Sequence, residues 1–202
     1  MLSIEKIKNA IRICNDPEEY GKLVEAMGHL VAAQETLKDV TLPAAPSVEW
    51  YTPDSCLELV REVLGKIDLD PCSSGGNDGV NASVRYTKGD DGLTMPWYGN
   101  VFCNPPYGKG TEKFIRYGMA QPVDSIIYLV NRTGAAWYVD VLPEFTAVCQ
   151  VRKRVAFIDG STGGVAKSPR YYNDFLYSGP NADQFVKTFS TIGMCNRYHD
   201  FL

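Results

Sequence analysis

The chain has 202 residues, 45% of them hydrophobic and 22% charged, with a formal net charge of −4 at pH 7. That size suits one α/β domain with an appendage, and no apolar run approaches the roughly 20 residues needed to cross a bilayer, so a soluble chain without a membrane partner is expected. The acidic balance argues against a general nucleic-acid binder, but it hides an asymmetry: residues 1–108 carry 9 Lys and Arg against 16 Asp and Glu, whereas residues 109–202 carry 11 against 8.

In chain order, Ile4, Ile7, Ile11 and Cys14 recur at helical spacing, and Asn15-Asp16-Pro17 breaks the run. A second helix opens at Glu18-Glu19, with Leu23, Met27, Leu30, Gln34 and Leu37 stepping by fours and threes. Residues 1–42 therefore read as a helical hairpin, a surface through which two copies could pair as a homodimer, and residues 43–48 as a Pro- and Ala-rich linker. From residue 49 to 202 helices alternate with short apolar runs. Helices are predicted at 54–65, 111–120, 135–141 and a closing one at 181–190. Strands are predicted at 66–70, 101–103, 125–130, 147–151, 155–158 and a final one at 173–178. Such alternation implies a mostly parallel, doubly wound α/β sheet, whose ligands bind at the carboxyl ends of the strands. Asp70 and Asn104 stand at two of those ends.

The six cysteines, at 14, 56, 72, 103, 149 and 195, form no close pair and read as free thiols in a reducing cytoplasm, not as a metal site. Met1–Lys8 lacks the apolar core of a secretion signal. Neither histidine, His29 or His199, lies near an acid or nucleophile in sequence, so histidine acid–base chemistry is not expected.

Asn104-Pro105-Pro106-Tyr107 follows the apolar run Val101-Phe102-Cys103. The Asn side chain offers a carbonyl, and the proline that follows keeps its own carbonyl while donating nothing, so two acceptors can face one NH2 group. Two prolines stiffen that ledge, and the Tyr107 ring can stack on a flat substrate. Upstream, Trp50-Tyr51-Thr52-Pro53 sets two aromatics before a helix start. Asp70-Pro71-Cys72-Ser73-Ser74-Gly75-Gly76 joins an acidic strand end to a glycine loop able to approach a ligand closely. Lys109 and Lys113, then Arg152-Lys153-Arg154, Lys167 and Arg170, form basic groups that could neutralise a few phosphates.

In order, Trp-Tyr-Thr-Pro at 50–53, Asp-Leu-Asp-Pro-Cys at 68–72, Asp-Gly-Leu at 91–93, Pro-Trp at 96–97 and Val-Phe-Cys-Asn-Pro-Pro-Tyr-Gly at 101–108 resemble the phage-type DNA N6-adenine methyltransferases, the Dam-like family. The likeness spans about residues 49–180. It implies a Rossmann-like methyltransferase fold, S-adenosylmethionine as cofactor, DNA as partner, no metal, and phage or prophage origin with action in the bacterial cytoplasm. By resemblance Asn104, Pro105, Pro106 and Tyr107 are the catalytic motif, and Trp50, Tyr51, Thr52, Pro53, Asp70, Pro71, Cys72, Ser73 and Asp91 bind the cofactor. Cys72 stands where the family usually has Phe, and Gly75 and Gly76 are adjacent where its glycines are spaced. Short spacing from Asp70 to Asn104 leaves no room for a large target-recognition insert. Base contacts are expected from loops near 108–113, 132–136 and 159–172. Two other readings stay open at this stage: methylation of cytosine N4 or a protein glutamine by the same motif, and a catalytically idle methyltransferase fold that binds DNA or protein.

Overall fold

The computed structural model describes residues 49–76, 78–165 and 171–199 together with Lys22. The chain divides into two units, Met1–Ser47 and Val48–Leu202. The expected hairpin of residues 1–42 and linker 43–48 lie outside the described residues.

Pro53 holds φ at −59° just ahead of Asp54, and its carbonyl accepts from the amides of Cys56 (2.9 Å) and Leu57 (3.1 Å), which starts helix α1 (Asp54–Leu64). Leu57, Val60, Val63 and Leu64 form its buried stripe, and Gly65 ends it at φ +74°. The other helices are α2 (Thr111–Met119), α3 (Ala136–Val141), which runs into a 3-10 turn at Leu142–Glu144, and α4 (Ala182–Phe189). Nine strands are described: β1 (Trp50–Tyr51), β2 (Leu69–Asp70), β3 (Val84–Arg85), β4 (Gly99–Cys103), β5 (Val123–Asn131), β6 (Ala147–Val151), β7 (Ile158–Asp159), β8 (Asn173–Ser178) and β9 (Gly193–Arg197).

Seven of them form one sheet in the order β3-β2-β4-β5-β8-β6-β9. From β3 to β5 the neighbours run parallel; β5–β8, β8–β6 and β6–β9 pair antiparallel. The expected α/β sheet is therefore present, parallel through its first half and antiparallel through its second. Strand β5 shows why both faces carry helices. Ile127 and Leu129 pack with α1 and α4 on one side, while Ile126, Tyr128 and Val130 pack with α2 and α3 on the other. On the first face the rings of Phe185 and Phe189 stack at 4.5 Å, and Phe185 lies 5.1 Å from Tyr177.

Three expectations need correction. The strand expected at 155–158 does not join the main sheet; only Ile158–Asp159 are extended in a ladder, and they pair with β1. Its Val155 and Phe157 are buried, and the Val155 amide bonds the Asn173 side chain in place of a strand neighbour. The strand expected at 66–70 shortens to β2, although backbone bonds to both neighbours continue ahead of it: the Asp68 amide donates to the Asn100 carbonyl at 2.8 Å, and the Asp68 carbonyl accepts from the Val84 amide at 2.9 Å. And β8 is not the final strand: β9 follows α4 on the sheet edge, with a mostly exposed sequence, Gly-Met-Cys-Asn-Arg, that carries no alternation to reveal it.

Trp97 is 1% exposed and packs on the rings of Phe114, Tyr117 and Tyr128. Gly118 makes room for it, since a Cβ at that position would overlap both the Trp97 ring and the Tyr128 hydroxyl. Gly118→Ala gains about 1 kcal/mol of helix propensity but overpacks a filled core at about 1–3 kcal/mol. A net fall in the urea midpoint is expected, where an unconstrained helix glycine would give a rise.

Candidate active site

Leu69 of β2 and Val101 of β4 are paired in parallel register, so the two strands release their following residues at the same end of the sheet. Cys72 Sγ and Cys103 Sγ lie 3.6 Å apart there. Beyond them opens a cleft of about 750 Å³, lined by Asp70, Cys72, Ser74, Asp78, Val80, Phe102, Asn104, Pro105, Pro106 and Tyr107, by Glu49, Trp50, Tyr51 and Thr52 from the β1 segment, and by Phe157, Tyr171 and Asn173. Its size is that of a small-molecule site, and it sits where open α/β sheets bind ligands.

The Asn104 side chain is the centre of it. Its Nδ2 donates to Thr52 Oγ1 at 3.4 Å, which turns the amide oxygen the other way. That oxygen, Oδ1, is buried and has no partner among the described residues. A buried acceptor without a donor costs about 1–3 kcal/mol, so its retention points to a donor brought by a ligand. The ledge itself is held by Thr111, fully buried at the start of α2. Its hydroxyl donates to the Pro106 carbonyl at 2.8 Å and accepts from the Gly108 amide at 3.1 Å. Gly108 takes φ +113°, a conformation that favours glycine.

Tyr107 is fixed at its far end, where its hydroxyl accepts from Asn173 Nδ2 at 2.9 Å. Phe157 and Tyr171 meet its ring at 79° and 81°, so neither stacks on it. Burial pushes the Tyr107 hydroxyl well above the ordinary phenol range, against the opposing Asn173 bond, and the group stays neutral. Asp70 is 4% exposed and its Oδ1 accepts from the Cys72 amide at 2.9 Å. Desolvation raises its carboxyl to about 7; the Cys72 bond works against that, and the nearby Asp78 charge adds to it. Asp78, also buried, accepts from Ser73 Oγ and the Val80 amide, both at 3.1 Å.

Most of the cofactor residues expected from sequence thus gather around one cleft. Pro53, Pro71 and Ser73 do not line it; Ser73 meets it through Asp78, to which its hydroxyl donates. Asp91 does not line it. Asp91 takes φ +54° in an exposed turn and its Oδ1 accepts from the Leu93 amide. That turn instead buttresses the loop after β2: Trp97 Nε1 donates to the Gly92 carbonyl at 2.7 Å, and a Cβ on Gly92 would overlap the Pro71 carbonyl. The adjacent glycines of the loop have a local reason too. Gly75 takes φ +80°, and a Cβ on Gly76 would lie 3.0 Å from the Tyr51 hydroxyl; from another segment, Gly160 also makes room for Tyr51, whose ring a Cβ there would press at 2.7 Å.

Among the basic residues, Lys109, Lys113, Arg152, Lys153 and Arg154 are exposed. Lys167 and Arg170 lie outside the described residues. The sequence reading missed Asp78, Phe157, Tyr171 and Asn173, which enter from a loop and from segments 50 or more residues beyond the motif. It also missed Arg132, which pairs with the buried Asp174 at 2.6 Å, and Tyr172, whose ring lies 4.9 Å from the Arg154 guanidinium and 5.6 Å from that of Arg132. Arg132, Tyr171 and Tyr172 fall within two of the three segments, 108–113, 132–136 and 159–172, expected from sequence to reach bases.

A mixed α/β sheet with helices on both faces and a cleft at its carboxyl edge defines an α/β protein with a site of small-molecule size. The family model of DNA N-6-adenine-methyltransferase (Dam) matches residues 40–173, a span that contains every residue lining the cleft. The chain belongs to that family. Comparison with curated proteins returns no match.

Proposed function

We propose that the protein transfers a methyl group from S-adenosylmethionine to N6 of adenine in DNA, with the target base turned out of the helix onto the Asn104–Tyr107 ledge. The observation that carries this reading is the buried, unpartnered Asn104 Oδ1 in a chain of this family. Two buried acids, Asp70 and Asp78, beside the aromatics Trp50 and Tyr51, suit a cationic ligand that also bears hydroxyl groups. When bound, S-adenosylmethionine supplies an electrophilic methyl on a sulfonium.

The chain's own residues do the rest. An exocyclic adenine nitrogen is a poor nucleophile because its lone pair is delocalised into the ring. Asn104 Oδ1 accepts one of its N–H bonds and the Pro105 carbonyl the other, which draws the nitrogen toward a tetrahedral shape and aims the lone pair into the cleft. Thr52 keeps the Asn104 amide from turning over. Tyr107 gives the base a surface to stack on, and its neutral hydroxyl takes no part as a base. Rate comes from orientation and fixed dipoles, and N6, on taking the methyl, sheds one of its two protons to water. Lys109, Lys113, Arg152, Lys153 and Arg154 supply positive charge for the phosphates on either side.

The test is to incubate the protein with methyl-labelled S-adenosylmethionine, DNA and bacterial extract protein together. The label is expected in acid-precipitable DNA. Label in protein, or in neither, contradicts the reading.

A further inference from the structure

Asn173, the first residue of β8, is 1% exposed, and its amide is spent on three separate segments. Nδ2 donates to the Tyr107 hydroxyl at 2.9 Å and to the Val130 carbonyl at 3.4 Å. Oδ1 accepts from the Val155 amide at 3.4 Å. The carbonyl belongs to the end of β5, and the amide to the stretch that brings Phe157 against the Tyr107 ring. An amide bonded on both its nitrogen and its oxygen cannot turn without losing contacts on each side, so its hydrogen is aimed at one point. That point is the Tyr107 hydroxyl.

We propose that Asn173 is the positioning residue of Tyr107: by holding the hydroxyl, which lies on the ring's own axis, it fixes the χ1 torsion and so the place of the ring on which the turned-out base stacks. This rests on the reading of Tyr107 as the base-stacking residue. Without the bond the ring keeps its apolar contacts with the core and its edge contacts with Phe157 and Tyr171 but loses the anchor that sets χ1, and ordering it again on binding costs affinity for DNA. The carboxylate of an Asp in its place could accept from Val155 and from the hydroxyl but could not donate to the Val130 carbonyl, which accounts for an amide at this position.

The experiment is a double-mutant cycle of Asn173→Ala and Tyr107→Phe, reading KM for unmethylated plasmid DNA, kcat, and S-adenosylmethionine affinity by calorimetry. Each single variant is expected to raise the DNA KM about tenfold, by more than it lowers kcat, and the double variant to be no worse than either single. A roughly hundredfold rise in the double variant means the two groups act independently, which overturns the proposal. If Asn173→Ala fails to fold, Tyr107→Phe alone decides, because it removes only the hydroxyl; an unchanged DNA KM overturns the proposal. If the unaltered protein transfers no methyl to DNA, the catalytic reading fails, and the Tyr107–Asn173 link is still read by the χ1 couplings of Tyr107 in NMR. Couplings averaged over rotamers in the Asn173→Ala protein, where the unaltered protein shows one rotamer, support the link, and equal couplings overturn it.

Discussion

Asn104→Ala is expected to lower kcat for methyl transfer by at least about 10²-fold, the usual cost of removing one preorganised hydrogen-bonding group from a transition state. Affinity for S-adenosylmethionine should stay within about twofold. The two effects separate because Asn104 Oδ1 has no partner among the described residues, whereas the acids and aromatics suited to the cofactor are other side chains of the cleft. Stability gives an independent reading. Truncation removes a buried acceptor that the unliganded fold leaves unsatisfied and loses only the long bond to Thr52, so the thermal midpoint should hold or rise slightly. An Asn104→Ala protein that still transfers methyl groups efficiently would remove this residue from the chemistry. One that unfolds would show that its amide serves the core.

Asp70→Asn is the second large effect, and it acts in opposite directions on stability and on binding. The folded Asp70 carboxyl sits at about 7, raised from 3.8 chiefly because burial strips its water. A carboxyl raised on folding contributes its full stability below the unfolded value and loses it as pH climbs through the folded one. The penalty of the ionised group therefore grows from about pH 4 to pH 7 and is constant above. Asp70→Asn should melt at the same temperature as the unaltered protein near pH 4 and higher at pH 8, by about 2–4 °C for each kcal/mol recovered in a chain of this size. Binding runs the other way. A cationic ligand needs the ionised carboxylate, so affinity for S-adenosylmethionine should strengthen from pH 5.5 to 7 and then level. Asp70→Asn should be weaker by at least about tenfold, in line with about 1.5–3 kcal/mol for a hydrogen bond to a charged group, and flat over that range. Calorimetry and thermal melts on the same samples check both halves; a pH-independent affinity in the unaltered protein would place the cation elsewhere.

The site was readable in outline because its chemistry is local. Asn104 through Tyr107 stand together, and the residues flanking β1 and β2 announce themselves by proline and acid at strand and helix boundaries. Sequence reading could not reveal which way the Asn104 amide faces. That depends on Thr52, 52 residues away, through one hydrogen bond. Nor could it reveal Asn173, because two polar residues, Asn173 and Asp174, opening a strand look like a boundary until the tertiary contact with Tyr107 exists. Asp91-Gly92-Leu93 and Pro96-Trp97 were legible as motifs but not as what they are, a brace for the loop after β2, since the Gly92–Pro71 approach arises only on folding. In the fold, β5 was evident from its apolar run Ile126 to Val130, and β8 from the shorter Phe175-Leu176-Tyr177. The edge strand β9 was not, because an edge strand with exposed side chains has no burial pattern to display.

Nucleoside mass spectrometry of DNA from methylation-deficient cells expressing the chain, beside cells expressing Asn104→Ala, tests the central claim most directly. N6-methyladenine is expected with the unaltered protein and none with the variant. N4-methylcytosine, no modified base in either culture, or equal N6-methyladenine in both would contradict the assignment of Asn104 to methylation of adenine.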